Sequence, residues 1–522
     1  MAHYKASSSS RRVFAERTNT TPSETSAVDP TRSRATTLLK SWLIPGKRSS
    51  PLDEIDRHPI KRVKVSESPL DSNSDSELGN SEEEELCKPP PLKRAWRSRL
   101  HCSRHPLSYS GRPLASTLPL LQSLVSSHKS DIFRCLSMND NDSCLVPAYC
   151  CAYPDSAREG LSTHFAVGTE QGTVFIFDSR KREEWDPEPS YKLIRQHNNG
   201  IFDIKWNGDD TLLATAAGDL TARVTDAKMG HIIRTFRHDA TVKCISWNPN
   251  HTSLFGTGSR LGTIALWDLR ESSGKPVLNV SAAHEENSSR AKRRAQKRST
   301  SSPTVTGLLY SDGNEHQLIS SGSADGVLRS WDLRQLNGRS PKSSVSCLAS
   351  SSEDPTTMEG TRRPRGIVSL SDRPGTGPTA GLVFALGADS HIHTYARDTL
   401  APTGNSFTHP NLRTNFYVKL STSACGRWLA SGGARLDGSE SSSAFVFDVD
   451  SQGQRRTGHQ SSNALELKGS GDGDSGGLDW AEGMLATCWD QGVVRIWRPE
   501  AQSHRSCLDN PENSRWDWLW AQ

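Results

Sequence analysis

Two stretches of this chain are near copies of one another. Thr257-Gly258-Ser259-Arg260-Leu261-Gly262-Thr263-Ile264-Ala265-Leu266-Trp267-Asp268-Leu269-Arg270 and Ser321-Gly322-Ser323-Ala324-Asp325-Gly326-Val327-Leu328-Arg329-Ser330-Trp331-Asp332-Leu333-Arg334 each read as a strand of small residues, a glycine turn and an alternating strand ending in Trp-Asp. Weaker copies end at Phe177-Asp178, Thr225-Asp226, Tyr395, Phe447-Asp448 and Trp497, which makes seven. The closing positions are therefore 177, 225, 267, 331, 395, 447 and 497. A unit that recurs in this way cannot bury its apolar face alone, so its copies must stack, and the repeat constrains the fold before any local propensity does.

The shortest spacing fits a four-stranded propeller blade of about 40–45 residues, and the longer ones carry polar insertions. These insertions lie near 271–303, 335–365, 433–443 and 452–476. The copies resemble WD40 blades. His197, His238, His284, His409 and His459 each precede a blade's first long strand, where WD40 blades carry a Gly-His signature. The resemblance implies that each His joins a Ser or Thr, a turn Asp and the Trp in a hydrogen-bonded tetrad, which makes these histidines structural. Ile201–Trp206 and Val242–Trp247 alternate as half-buried strands do. The expected fold class is all-β, a seven-bladed WD40 β-propeller over 126–500. Closure leaves one exposed seam, between first and last blades. Asp131-Ile132-Phe133-Arg134-Cys135-Leu136 is the candidate strand for closing it.

Outside the repeats the text is polar. Residues 1–125 are rich in Ser, Pro and charge without periodicity, which predicts a long disordered N-terminal tail. Its Lys61, Arg62 and Lys64, like Lys292, Arg293, Arg294, Lys297 and Arg298 in an insertion, form basic clusters that read as nuclear localisation signals and predict a nuclear protein. Solvated linker charge is the alternative for both clusters, and the second also fits an electrostatic contact to DNA or an acidic protein surface. Leu38, Leu39, Trp42 and Leu43 recur at helical spacing, as a short partner-docking helix or as a chance cluster. A net charge of +4 argues against a polycation that seeks nucleic acid, so no direct sequence-specific nucleic-acid binding is expected. No apolar run approaches the roughly 18 residues of a membrane helix, so no membrane partner is expected either. The 11 cysteines include no Cys-x-x-Cys and read as reduced thiols. In a Trp-rich extension over 501–522, Trp516, Trp518 and Trp520 alternate as if on one strand face. They would pack across the propeller or form a partner-binding tail.

The chain shows no P-loop, no Gly-x-Ser-x-Gly and no His-Glu-x-x-His. His391 and His393 share a strand face without a further ligand at suitable spacing. The reading is therefore a non-catalytic binding platform with no cofactor and no metal. Arg270 and Arg334 each follow a Trp-Asp by two residues, at the turn between third and fourth strands, on the narrow rim. Two such guanidinium forks on adjacent blades point to a partner site, the alternative being internal pairing with a neighbouring carboxylate.

Paired Trp-Asp-x-Arg motifs resemble those of WD40 substrate receptors of cullin-four ubiquitin ligases, and the surrounding text looks like the denticleless family. The matching strings are Ile201-Phe202-Asp203, Ala214-Thr215-Ala216-Ala217-Gly218-Asp219-Leu220-Thr221-Ala222, Gly262-Thr263-Ile264-Ala265-Leu266-Trp267-Asp268, Ser281-Ala282-Ala283-His284 and Asn415-Phe416-Tyr417-Val418-Lys419. Leu261 departs from the blade pattern where Asp is usual, and Ser330 replaces an apolar residue. The resemblance implies docking on the damaged-DNA-binding adaptor through Trp267, Asp268, Arg270, Trp331, Asp332 and Arg334. It also implies that the protein presents replication licensing and cell-cycle proteins, bound to the sliding clamp PCNA on DNA, for ubiquitination. The alternative is a chromatin or signalling scaffold of the same fold that binds histone or peptide segments without a ligase.

Overall fold

The computed structural model describes residues 117–522 except 138–143, 183–189, 286–302, 312–313, 335–346, 359–362, 373–376, 437–441, 450–463 and 470–472. The tail over 1–116, His459 and the basic clusters at Lys61, Arg62, Lys64 and at Lys292, Arg293, Arg294, Lys297, Arg298 lie outside the described residues.

The described strands form seven antiparallel sheets arranged as a propeller, one for each repeat copy. Inner strands run Ala148–Ala152, Ile201–Trp206, Val242–Trp247, Val305–Ser311, Ile367–Asp372, Leu420–Thr422 and Ser475–Ala481 in blades 1 to 7. Third strands carry the closing positions of the repeat within their last residues, among them Thr173–Asp178, Ile264–Asp268, Arg329–Asp332 and Val493–Pro499. The apolar cores lie between blades. Ile264 and Leu266 of blade 3, for example, pack with Val305, Leu308, Leu318 and Trp331 of blade 4. Inner strands are also stitched across the blades: Asp203 Oδ2 accepts the Ile245 amide at 2.9 Å, and Asp479 Oδ2 accepts the Tyr153 amide at 2.8 Å.

The expected tetrad is only partly realised, and its pieces differ from blade to blade. In blade 2, His197 Nε2 meets Thr215 Oγ1 at 2.8 Å and Nδ1 meets Asp219 at 3.0 Å. Burial pushes the Asp219 carboxyl up, but bonds to His197, Thr221 and the Asn198 amide overcome it and hold the pKa at about 2. In blade 4, Ser320 Oγ bridges His284 Nε2 at 2.9 Å and Trp331 Nε1 at 2.8 Å. In blade 3, where Leu261 replaces the turn Asp, His238 packs edge-on against Trp267 and its Nε2 has no hydrogen-bond partner.

Closure uses both ends of the described chain. Ile132–Arg134, the expected seam strand, pairs with Val493–Pro499, and so does Leu124–Ser127 just before it. Trp518–Trp520 then pairs with the outer side of Leu124–Ser127, and Gln522 exchanges backbone hydrogen bonds with Glu466 of blade 6. These contacts move both expected boundaries. The described fold begins with Thr117 and the helix Leu118–Gln122, ahead of the expected start at 126, and the extension after 500 is built into blade 7. Trp516 does not share a strand face with the other two indoles. It sits in the preceding turn, 72% exposed, whereas Trp520 is 8% exposed against Val125 and Cys507. The polar insertions also contain structure: Leu278–Val280, Cys347–Ser350 and Ala464–Lys468 are the outer strands of blades 3, 4 and 6. Outer strands face solvent on one edge, so they lack the apolar alternation that marks inner ones.

Candidate protein-docking site

Strands alternate in direction, so the turns between third and fourth strands gather at one end of the propeller with those between first and second. Arg270 lies in such a turn. The Asp268 carboxylate closes the turn by accepting the Arg270 amide at 2.9 Å. It also receives the guanidinium in bidentate fashion, Nε at 3.0 Å and Nη2 at 2.8 Å. The Arg270 bond holds the Asp268 carboxyl below its ordinary range. Arg334 repeats the arrangement, its amide 2.9 Å from Asp332 Oδ1 and its Nε 3.6 Å from the same oxygen. Both side chains are exposed, at 71% and 62%. Ion pairs this exposed are screened by solvent and add little to stability, so the fold does not depend on these arginines. Each partner carboxylate is the Asp of the arginine's own motif, and the guanidinium has donors left over for an outside acceptor.

The two tryptophans of the motif play another part. Trp267 is 2% exposed and Trp331 6% exposed, with their Nε1 groups bonded to Thr257 and Ser320. They cannot touch a partner, which corrects their place in the expected contact set. They hold the strand from which Asp268 and Asp332 project, because a large indole at the blade core fixes the strand end.

The structure adds a third copy. Asp178 Oδ1 accepts the Arg180 amide at 3.0 Å and Arg180 Nη2 lies 3.6 Å from Asp178 Oδ2, with the side chain 76% exposed. The signal was the Asp-x-Arg spacing in Phe177-Asp178-Ser179-Arg180, obscured because Phe stands for Trp. Blade 2 carries Lys228 two residues past Asp226, also exposed. Blades 1 to 4 thus present exposed cations at equivalent turns. The equivalent positions of blades 5 and 7 are acidic, Asp398 and Glu500, and the arginines near them point elsewhere: Arg397 is buried with Asp372, and Arg498 pairs with Asp131 at 2.8 Å. The cationic arc covers one side of the rim.

Other sequence candidates are accounted for by packing. His393 Nε2 meets Asp389 Oδ2 at 2.9 Å and His391 Nδ1 faces the Asp389 carbonyl, so the pair braces a turn. Among the described residues no group of three His, Cys, Asp or Glu side chains is placed to hold a metal, and no helix is long and apolar enough to cross a membrane. The nine described cysteines are free thiols.

Residues 164–250 match the family described as the anaphase-promoting complex subunit 4 WD40 domain. The chain is 32% identical over 355 residues to cell division cycle protein cdt2 of Schizosaccharomyces pombe, an alignment covering 64% of this chain and 66% of that one. The chain belongs to the denticleless type of WD40 protein. It is 27% identical over 445 residues to denticleless protein homolog A of Xenopus laevis, covering 80% of this chain and 56% of the relative. The human denticleless protein homolog matches at 27% over 376 residues, covering 68% of this chain and 47% of its own length. The chain thus spans about half to two thirds of the length of these curated relatives. The rim arginines of this denticleless-type chain stand in blades 1, 3 and 4, and the family strings Ile201-Phe202-Asp203 and Asn415-Phe416-Tyr417-Val418-Lys419 stand at the opposite end of the propeller.

Proposed function

We propose that this denticleless-type protein is the substrate-recognition subunit of a cullin-four RING ubiquitin ligase, non-catalytic itself and acting in the nucleus. Its docking contacts on the damaged-DNA-binding adaptor are Asp268, Arg270, Asp332 and Arg334, joined by Arg180 and Lys228 on the same arc. The opposite face is then left free to present replication licensing and cell-cycle proteins bound to the sliding clamp PCNA. The observation that carries this reading is the recurrence of an exposed arginine, held by its own motif's Asp, at equivalent turns of blades 1, 3 and 4. Such a device contributes little to folding yet presents guanidinium forks at fixed positions, which is what recognition of carboxylates or carbonyls on a partner needs. Affinity purification of the full chain from nuclear extract, with mass spectrometry, tests the proposal. Recovery of the adaptor and the cullin supports it, and recovery of histone or other peptide partners without either refutes it.

A further inference from the structure

Among the described residues, three of the four turns of the cationic arc receive a hydrogen bond from a cation of the blade before them. Lys192, on the outer strand Tyr191–Arg195 of blade 1, donates from Nζ to the Ala227 carbonyl of blade 2 at 3.0 Å and also to that of Lys228. Arg234, on the outer strand Ile232–Arg237 of blade 2, donates from Nη1 to the Leu269 carbonyl of blade 3 at 2.7 Å. Arg498, beside the seam in blade 7, donates from Nη2 to the Ser179 carbonyl of blade 1. Ser179, Ala227 and Leu269 each stand one residue past Asp178, Asp226 and Asp268, directly before Arg180, Lys228 and Arg270.

The register explains the recurrence. Lys192 lies opposite Ile176 and Arg234 opposite Val224, each of these two residues before the Asp of its own blade. At that place the outer strand of blade 3 carries Leu278, opposite Leu266, and a leucine has no donor to offer blade 4. Arg234 is itself fixed. Its guanidinium lies 5.8 Å from the Phe236 ring, and buried Phe236 packs against Phe255 and Trp267 with centroids 5.0 and 4.9 Å away.

What Arg234 holds is the peptide unit that carries Arg270. The oxygen of that unit accepts from Arg234, and its N–H donates to Asp268 Oδ1 at 2.9 Å. In blade 1 the unit before Arg180 is held in the same way, by Arg498 on one side and by Asp178 at 3.0 Å on the other. Hydrogen bonds with one ionised partner are roughly twice as strong as neutral ones, and two of them on one peptide unit fix the direction in which the next side chain leaves the backbone. The charge of Arg234 also adds to the Arg270 bond in keeping the Asp268 carboxyl below its ordinary range. Arg270 therefore shares that carboxylate and keeps its attraction for an outside acceptor.

We propose that Arg234 is a positioning residue for partner docking: it pins the peptide unit before Arg270 from the neighbouring blade, so that Arg270 meets a carboxylate of the adaptor already ordered. Lys192 and Arg498 serve Lys228 and Arg180 in the same way. Ordering a rotamer-rich side chain before association removes part of the entropic cost of binding. This role rests on the arc being the adaptor's docking surface, and Arg234 acts through Arg270 and not through a contact of its own.

The test measures the Kd of the purified full chain for the purified damaged-DNA-binding adaptor by isothermal titration calorimetry. Arg234→Gln is expected to weaken the Kd about fivefold or more, and Arg234→Lys, which keeps a charged donor as Lys192 does in blade 1, to stay within about twofold of the wild type. The loss from Arg234→Gln should shrink below about twofold when Arg270→Ala is already present, and persist in full beside Arg334→Ala. A wild-type Kd for Arg234→Gln, an equal loss for Arg234→Lys, or a loss undiminished by Arg270→Ala overturns the proposal. If Arg234→Gln lowers the melting temperature, Lys192→Met decides instead: weakening of about threefold or more that disappears beside Lys228→Ala supports the brace, and an unchanged Kd overturns it. A wild-type chain that does not bind the adaptor refutes the docking reading and the brace with it, whereas a wild type that binds while the variants miss these outcomes refutes the brace alone.

Discussion

Blade cohesion can be tested with a comparison that changes a single hydrogen bond. Thr487 Oγ1, fully buried in blade 7, accepts from two indoles, Trp489 Nε1 at 3.0 Å and Trp497 Nε1 at 3.1 Å. Thr257 Oγ1 in blade 3 accepts from one, Trp267 Nε1 at 2.8 Å. Both hydroxyls also face a third-strand carbonyl, Arg495 at 3.4 Å and Ala265 at 3.3 Å. Replacing either Thr by Val keeps the shape and removes only the hydroxyl, so no cavity forms. A buried donor left without a partner costs about 1–3 kcal/mol, so Thr257→Val should cost about 1–3 kcal/mol and Thr487→Val about twice that. Urea denaturation followed by tryptophan fluorescence measures both, with an unchanged slope confirming that the unfolding reaction is the same. If Thr487→Val costs no more than Thr257→Val, the indole bonds are not what holds these blades.

Two further outcomes concern pH and the seam. Burial, with Arg329 adding to it, lowers the His284 pKa to about 3, and burial lowers His238 to about 4. Both values lie below the ordinary 6.5, so the unfolded chain takes up protons that the folded chain refuses, and stability present above pH 6.5 is lost as the pH falls toward 4. Between pH 7 and pH 5 each site should remove about 2 kcal/mol, and His284→Asn should lessen the drop by about that amount. A drop of equal size in variant and wild type would contradict this. At the seam, Trp520→Ala should cost about 3–5 kcal/mol of unfolding free energy, while Trp516→Ala should stay within about 0.5 kcal/mol. Comparable effects of the two would overturn the placement of Trp518–Trp520 in blade 7.

Much of the fold was legible because the repeat carries it. The closing residues at 177, 225, 267, 331, 395, 447 and 497 each fall on a blade's third strand, and Ile201–Trp206 and Val242–Trp247 appear as inner strands with those bounds. What escaped is non-local or solvent-facing. Leu124–Ser127 joins blade 7 by pairing with residues more than 370 positions away, a choice made by closure and not by local pattern. Cys347–Ser350 is an outer strand with three of its four residues exposed, so its text resembles the insertion around it. Arg270 and Arg334 were visible from their motif, but Trp267 and Trp331 looked like contacts because spacing does not report burial. The blade-to-blade braces were hidden for a similar reason: Lys192 and Arg234 read as ordinary outer-strand charges, and only the fold shows which carbonyls they meet.

In the proposed function the Asp-x-Arg turns are the docking surface for the ligase adaptor. This is tested most directly by measuring the affinity of the purified chain for purified damaged-DNA-binding adaptor before and after the double change Arg270→Ala, Arg334→Ala. Loss of charged interface groups costs about 2–5 kcal/mol when they are buried in a complex, so the Kd should weaken by about thirtyfold or more. The melting temperature should not move, because both guanidinium groups are exposed in the free protein. An unchanged Kd in a folded double variant would contradict the claim.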